Sequence, residues 1–390
     1  MRRLSFPERR ARLGVRQHLA TGARAASPAG AAEGVVALHA TDPASVFLAV
    51  QARAPVAAVS TVEEALYEQR SLVRLLGMRR TMFVVPVELA PVIQAACTKA
   101  IAVRLRRQYL QLMEAGGVGG GEAWLKDVEE STAQALAARG AATGAQLSAD
   151  EPRLRTPIVM AEGKAYQATQ NITTWVLMLL AAQGRIVRGR PRGSWVSTQW
   201  LWSPIEAWLP GGMPELPVEP ARVDLVRRWL AAFGPGTVAD LRWWTGWTAT
   251  QVKQALTVID PIEVDLDGAP GLVLPGDLAP TPQPEPWVAL LPALDPTAMG
   301  WQSRDWYLGP HGSLLFDRSG NVGPSVWCDG RVVGGWAQRR DGEIVWRLLE
   351  DVGGQAAAGI EAAAQRLAAW IGEVRVVPRF RTPLERELTA

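Results

Sequence analysis

His39 and Thr41 stand one residue apart and are followed by Asp42 and Pro43, inside an otherwise apolar stretch from Val35 to Arg53. An imidazole with an ordinary pKa of about 6.5 can take a proton from water, and a nearby hydroxyl can hold that water in place. The two side chains share a face only where the chain is extended, because residues i and i+2 of a strand point to the same side. Pro43 favours that arrangement, since it disfavours helical geometry at Asp42. From Pro43 onward, Val46, Phe47 and Val50 recur at helical spacing. They predict a helix to about Arg53, with Asp42 as N-cap and Pro43 at the first position. The pair therefore lies beside a helix N-terminus, where amides and the helix dipole can hold an anion or a polarised water. A plainer reading stays open: a buried histidine bonded to a backbone carbonyl, a threonine capping a turn, and Asp42 serving only as a cap rather than orienting the imidazole.

The elements that must position these residues follow a recurring order. Helices are predicted over Arg9 to Leu19, over Ala31 to Leu38, and from Pro43 to Arg53, with a capped start at Thr61. Two β-rich runs then meet around Gly77, between Leu72 and Pro86, as in a hairpin. Helices closed by a hairpin describe a winged helix, whose wing lies along DNA. A basic helical connector with Arg104, Arg106 and Arg107 leads to the glycine-rich joint 116–121. A second set of helices ends in a hairpin from Gly184 to Ser197, and a third, Val223 to Val258, ends in a hairpin from Ile262 to Leu274. Trp243, Trp244 and Trp247 in that set read as core more readily than as base-stacking platforms. The proline-rich Pro280 to Pro286 is a stiff linker, and short strands separated by Gly and Asp-Gly turns follow it. A helix from Ala356 to Ile371 and a last strand at 374–378 close the chain. The fold class is α+β: three tandem winged-helix units (1–115, 122–212 and 218–279), then a small antiparallel β-barrel or sheet domain (287–390).

Charge decides which hairpins can lie on phosphate. The first carries Arg74, Arg79 and Arg80 and the second Arg185, Arg188, Arg190 and Arg192, whereas the third carries Glu263, Asp265 and Asp267 and should face away from DNA. Net charge is only +3, but apart from Lys99, Lys126, Lys164 and Lys253 all the positive side chains are arginine, whose planar fork binds phosphate through two hydrogen bonds. Cys97 and Cys328 have neither zinc spacing nor a disulfide framework, which fits a reducing cytoplasm. The N-terminus lacks an apolar signal core, and the longest apolar run, Ile172 to Gln183, is too short to span a bilayer. A membrane or secreted protein is therefore not expected.

Several segments together resemble the AlkZ/YcaQ-like tandem winged-helix DNA glycosylases. They are Leu38-His39-Ala40-Thr41-Asp42-Pro43, the wing from Met78 to Pro86, the third-unit helices, Leu291-Pro292-Ala293-Leu294-Asp295-Pro296, and Asp329 to Trp336. The resemblance covers almost the whole chain. It implies a monofunctional glycosylase that cuts the N-glycosidic bond of bulky alkylated or crosslinked purines in duplex DNA, without metal or other cofactor, as a monomer. The family's motif is Gln-x-Gln, or Gln-x-Asp in one branch, and the matching positions here hold His39 and Thr41. An N7-alkylated guanine already carries positive charge, so its leaving group needs little protonation. What remains is to place a water below C1′ and support an oxocarbenium-like sugar. Because a crosslinked base cannot easily leave the stack, a probe in the groove can replace base flipping. Tyr307 to Ser313, with His311, is the candidate probe hairpin. The alternative from another class is a non-catalytic winged-helix protein that binds DNA or sequesters lesions.

Overall fold

The computed structural model describes residues 1–160, 163 and 167–390. The N-terminal part runs helix (Pro28–Glu33), strand (Leu38–His39), helix (Pro43–Arg53), helix (Val59–Glu63), then a hairpin of Leu72–Gly77 and Thr81–Pro86. The short strand adds to the outer edge of the hairpin's second arm, with His39 opposite Phe83 and Leu38 opposite Val84. The helix expected over Ala31 to Leu38 is shifted toward the N-terminus. Ser27 caps it through the Gly30 amide, Pro28 occupies its first turn, and the chain leaves helical geometry at Gly34, with Val36 at φ 63°. A β-branched residue in the left-handed region is costly, on the order of 1–3 kcal/mol, and here it produces the tight turn that aims the strand at the hairpin.

A long helix (Lys99–Ala115) and a glycine turn lead to a second helix (Gly121–Arg139). Gly117, Gly120 and Gly121 all have positive φ, which only glycine adopts without strain. Two hairpins follow in this region. One pairs Ile186–Pro191 with Trp200–Pro204: the first arm lies where expected, but the second begins beyond Ser197, where the expected hairpin ended, and Trp195 to Ser197 form a turn and loop instead. The other, Pro157–Met160 with Ala168–Asn171, was not anticipated, because its strands are only four residues long, largely exposed, and show no apolar–polar alternation.

The third set comprises Val218–Phe233, Val238–Thr245 and Ala249–Ile259, the last two opened by capping boxes at Thr237 and Thr248. Its hairpin, Ile262–Asp265 with Pro270–Val273, gains a third strand from the far end of the sequence: Arg2–Arg3 pairs in parallel with Val264 and Asp265. Arg3 donates to Asp267 at 2.6 Å, so part of this hairpin's acidity is answered by the chain's own N-terminus.

The C-terminal strands form one antiparallel sheet in the order Val288–Leu291, Ser325–Cys328, Arg331–Gln338, Ile344–Leu348. The sheet is open; the barrel alternative is not what forms. Helix Gly353–Ile371 packs against both edge strands, covering edges that closure would otherwise have removed. The last expected strand is absent: 374–378 is irregular, with the Val376 amide donating to the Gln338 side chain. Tyr307 to Ser313 is not a hairpin either. Asp305–Leu308 and Gly312–Leu315 are single helical turns joined at Gly309–His311, and Tyr307 is fully buried, which removes it as a groove probe.

One apolar core runs through the N-terminal part, the third helix set and the C-terminal sheet. A second core lies between the long connector helix and the helices after it. Among the described residues, no helix is long and apolar enough to cross a membrane.

Candidate active site and its basic surroundings

The backbone at His39 is fixed from both sides. Its strand pairs with Phe83, the Ala40 amide donates to the Met82 carbonyl at 2.8 Å, and Arg74 donates to the Ala40 carbonyl at 3.2 Å. The residue between His39 and Thr41 is thus held at both its polar groups; the strand ends at His39, and Asp42 is extended, as Pro43 requires of its predecessor. Thr41 is half-exposed. His39 is 8% exposed, with its ring edge-on to Phe83 at 5.5 Å and its Nδ1 buried without a hydrogen-bond partner. Burial, seconded by the positive charge of Arg79, pulls the imidazole pKa down to about 3. The side chain is therefore neutral at physiological pH, and it is a much weaker base than its ordinary value suggests.

Asp42 does not orient His39. Its Oδ1 accepts from the Ala44 amide at 3.2 Å, as an N-cap should, and its Oδ2 accepts from the Arg379 amide at 3.0 Å. It ties the helix start to the C-terminal tail, and burial raises its pKa despite those two bonds. The same helix is anchored at its other end. Arg53 forms a fully buried two-pronged pair with Asp295 (2.9 and 2.7 Å) and donates to Thr297, whose hydroxyl reaches Gln17. The segment Leu291 to Pro296 is thus a clamp on the site helix.

The hairpin arginines divide in a way their sequence positions did not reveal. Arg74 is not on an outer face. It is 3% exposed, stacks 4.1 Å from Trp200, and leaves Nε and Nη2 buried without partners, so it supports the site backbone instead of reaching for phosphate. Arg79 and Arg80 occupy the wing tip at φ 54° and 59°. Arg79 lies 4.0 Å over Trp243 and against Gly246, where an added Cβ would approach its Cγ to 3.1 Å. Arg304 lies 5.0 Å over the same indole. Burial, then Arg304, lowers the Arg79 pKa to about 10, which leaves it protonated. Arg80 is exposed. In the second hairpin, Arg185 is paired with Glu130 and Arg190 with Glu63 and Glu68, so both charges are already answered. Arg188 is largely buried over Trp202, while Arg192 is exposed. His311 Nε2 faces Glu350 at 3.4 Å.

Arg304, Arg379 and Trp243 were missed as neighbours of the site. The signal for Arg379 was present in the alternation Arg379-Phe380-Arg381, a basic and aromatic run just after the segment read as a last strand. Among the described residues, no group of three or more His, Cys, Asp or Glu side chains is placed to hold a metal ion.

A family model described as "DNA glycosylase AlkZ-like" matches residues 32–370. Among solved structures, the chain is similar to the Streptomyces sahachiroi DNA glycosylase AlkZ, at 21% identity and a TM-score of 0.73 over 96% of this chain and 98% of that one. A comparison with curated proteins finds no match. The similarity of the two folds is thus nearly end to end, and the family match spans most of the sequence, including the strand with His39 and the clamp at Asp295. The chain belongs to the AlkZ-like DNA glycosylase family, hydrolases of the N-glycosidic bond in DNA.

Proposed function

We propose that the lesions removed are N7-alkylated purines in duplex DNA, with His39 and Thr41 at the reaction centre and no cofactor, in a monomer built of three winged-helix units and a C-terminal β domain. The helix–strand–helix–helix–hairpin order of the N-terminal part, with its first strand on the hairpin's second arm, supports the first of those units. The observation that carries the site is a neutral imidazole on a strand fixed by Arg74, beside the protonated Arg79. In the reaction, the C1′–N9 bond breaks and its electron pair neutralises the cationic purine. A water oxygen bonds to C1′ and its proton passes to the His39 ring, leaving an abasic site and a neutral alkylpurine. Attack on an oxocarbenium-like sugar needs only a weak base. A bound phosphodiester beside Arg79 would offset that guanidinium and raise the His39 basicity when DNA is present. Thr41, half-exposed two residues on, would hold the water.

The test is a panel of duplexes bearing N7-alkylguanine, N3-alkyladenine or a bulky N7 adduct, incubated with enzyme and then alkali. Strand breaks at the N7 lesions support the assignment. Breaks confined to other lesions, or binding without base release, contradict it.

A further inference from the structure

A cleft of about 990 Å³ lies between the turn 312–319 and the tail 379–386. Arg318, Arg379, Arg381 and Arg386 line it, together with Phe316 and Phe380. Its charges are unevenly committed. Asp317 spends its carboxylate on the Ser319 and Asn321 amides and the Asn321 side chain, at 2.8–2.9 Å. Arg381 is paired with Glu385 at 2.6 Å. Arg318, Arg379 and Arg386 are exposed, and among the described residues none of the three side chains has an ion-pair partner. Three uncompensated guanidiniums around one concavity repel each other, an arrangement that a polyanion relieves.

The cleft is linked to the site through two chains of contacts. The Arg379 amide binds Asp42, three residues from His39. On the other side, Arg304 lies 4.6 Å over Phe316 of the cleft wall and 5.0 Å over Trp243, the indole that also carries Arg79. We infer that this cleft is a phosphate-binding track for the DNA strand that runs past His39, with Arg318, Arg379 and Arg386 each neutralising one phosphodiester. The inference rests on the chain's acting on duplex DNA. The two phenylalanines give the track apolar walls against the sugars, and Arg304 extends it toward the reaction centre.

Each phosphate neutralised on B-DNA contributes about −0.9 to the slope of log K against log salt. Binding to an undamaged duplex is therefore measured between 50 and 200 mM salt for the wild type and for the Arg318→Ser/Arg379→Ser/Arg386→Ser variant. The slope should become shallower by about 2.7, about a 40-fold smaller affinity loss over that range, and the triple Arg→Lys variant should restore it. Should the triple serine variant fold poorly, Arg318→Ser alone, on an exposed turn, should shift the slope by about 0.9. An unchanged slope in a folded variant overturns the track. So does a variant that loses competition by inorganic phosphate while its DNA slope is intact. Excision is scored separately with saturating enzyme. A wild type that never releases a base, yet shows the slope change, keeps the track and sinks the glycosylase assignment.

Discussion

At the scale of single residues, the proposed chemistry turns on His39 being neutral and Arg74 being buried. The folded-state pKa of His39, about 3, lies below the ordinary 6.5 of an unfolded chain. Its contribution to stability is therefore complete above pH 6.5 and drains away as pH falls toward 3, because the unfolded chain takes up the proton first. Melting temperature should fall more steeply below pH 6.5 for the wild type than for His39→Gln, and parallel curves would contradict the burial described. Arg74→Met removes the donor to the Ala40 carbonyl but no surface charge. It should lower the excision rate at saturating enzyme roughly tenfold or more while leaving duplex affinity within about twofold; an affinity loss with an unchanged rate would return Arg74 to the phosphate contacts. Sequence could place His39 on a short strand and Asp42 in extended backbone, because Pro43 restricts its predecessor. It could show Asp42 as the N-cap that accepts from Ala44, but not that its other oxygen accepts from the Arg379 amide, 337 positions away. Nor could composition separate a buried hairpin arginine from an exposed one: Arg74 and Arg80 look alike in sequence, yet the first is buried on a strand and bonded to Ala40 and the second is exposed at the hairpin tip.

At the scale of elements, local signals performed well where they were strong. Asp42-Pro43, Thr237 with Asp240, and Thr248 with Gln251 each opened a helix as capping chemistry dictates. They failed where distant contacts decide the conformation, as at Val374 to Pro378 and at Tyr307 to Ser313, both apolar enough to pass for strands and both held by packing instead. The site helix Pro43–Arg53 is buried along nearly its whole length and depends on its two anchors, Asp42 and Arg53. Breaking a buried ion pair from one side costs about 3–5 kcal/mol, because the remaining charge is left uncompensated. Asp295→Ala should therefore lower unfolding free energy by that amount in a urea titration, and the apolar double variant Arg53→Met/Asp295→Leu should recover much of it. A loss below about 1 kcal/mol would show the clamp to be idle.

At the scale of the whole molecule, the first and third units anticipated from sequence share one core with the C-terminal sheet, the second region builds its own, and the N-terminal strand belongs to the sheet of the third helix set. That long-range pairing has no local signature: Arg2 and Arg3 look like a frayed terminus until Val264, Asp265 and Asp267 are placed beside them. Deleting residues 1–4 would remove Leu4 and so uncover Val264, Leu266 and Val273, the rest of that small core. It should lower the melting temperature by several degrees without abolishing duplex binding, and an unchanged melting temperature would show that the strand is dispensable. The same long-range folding brings Arg79 of the first hairpin and Arg304 of the C-terminal region onto one indole, Trp243 of the third helix set, and so builds the charged surroundings of His39. The most direct measurement of the account is the single-turnover rate of base release from a duplex with one N7-alkylguanine, at enzyme concentrations that saturate the DNA, for the wild type and His39→Ala. The rate should fall by about 10²–10⁴ with affinity retained; equal rates would remove His39 from the chemistry.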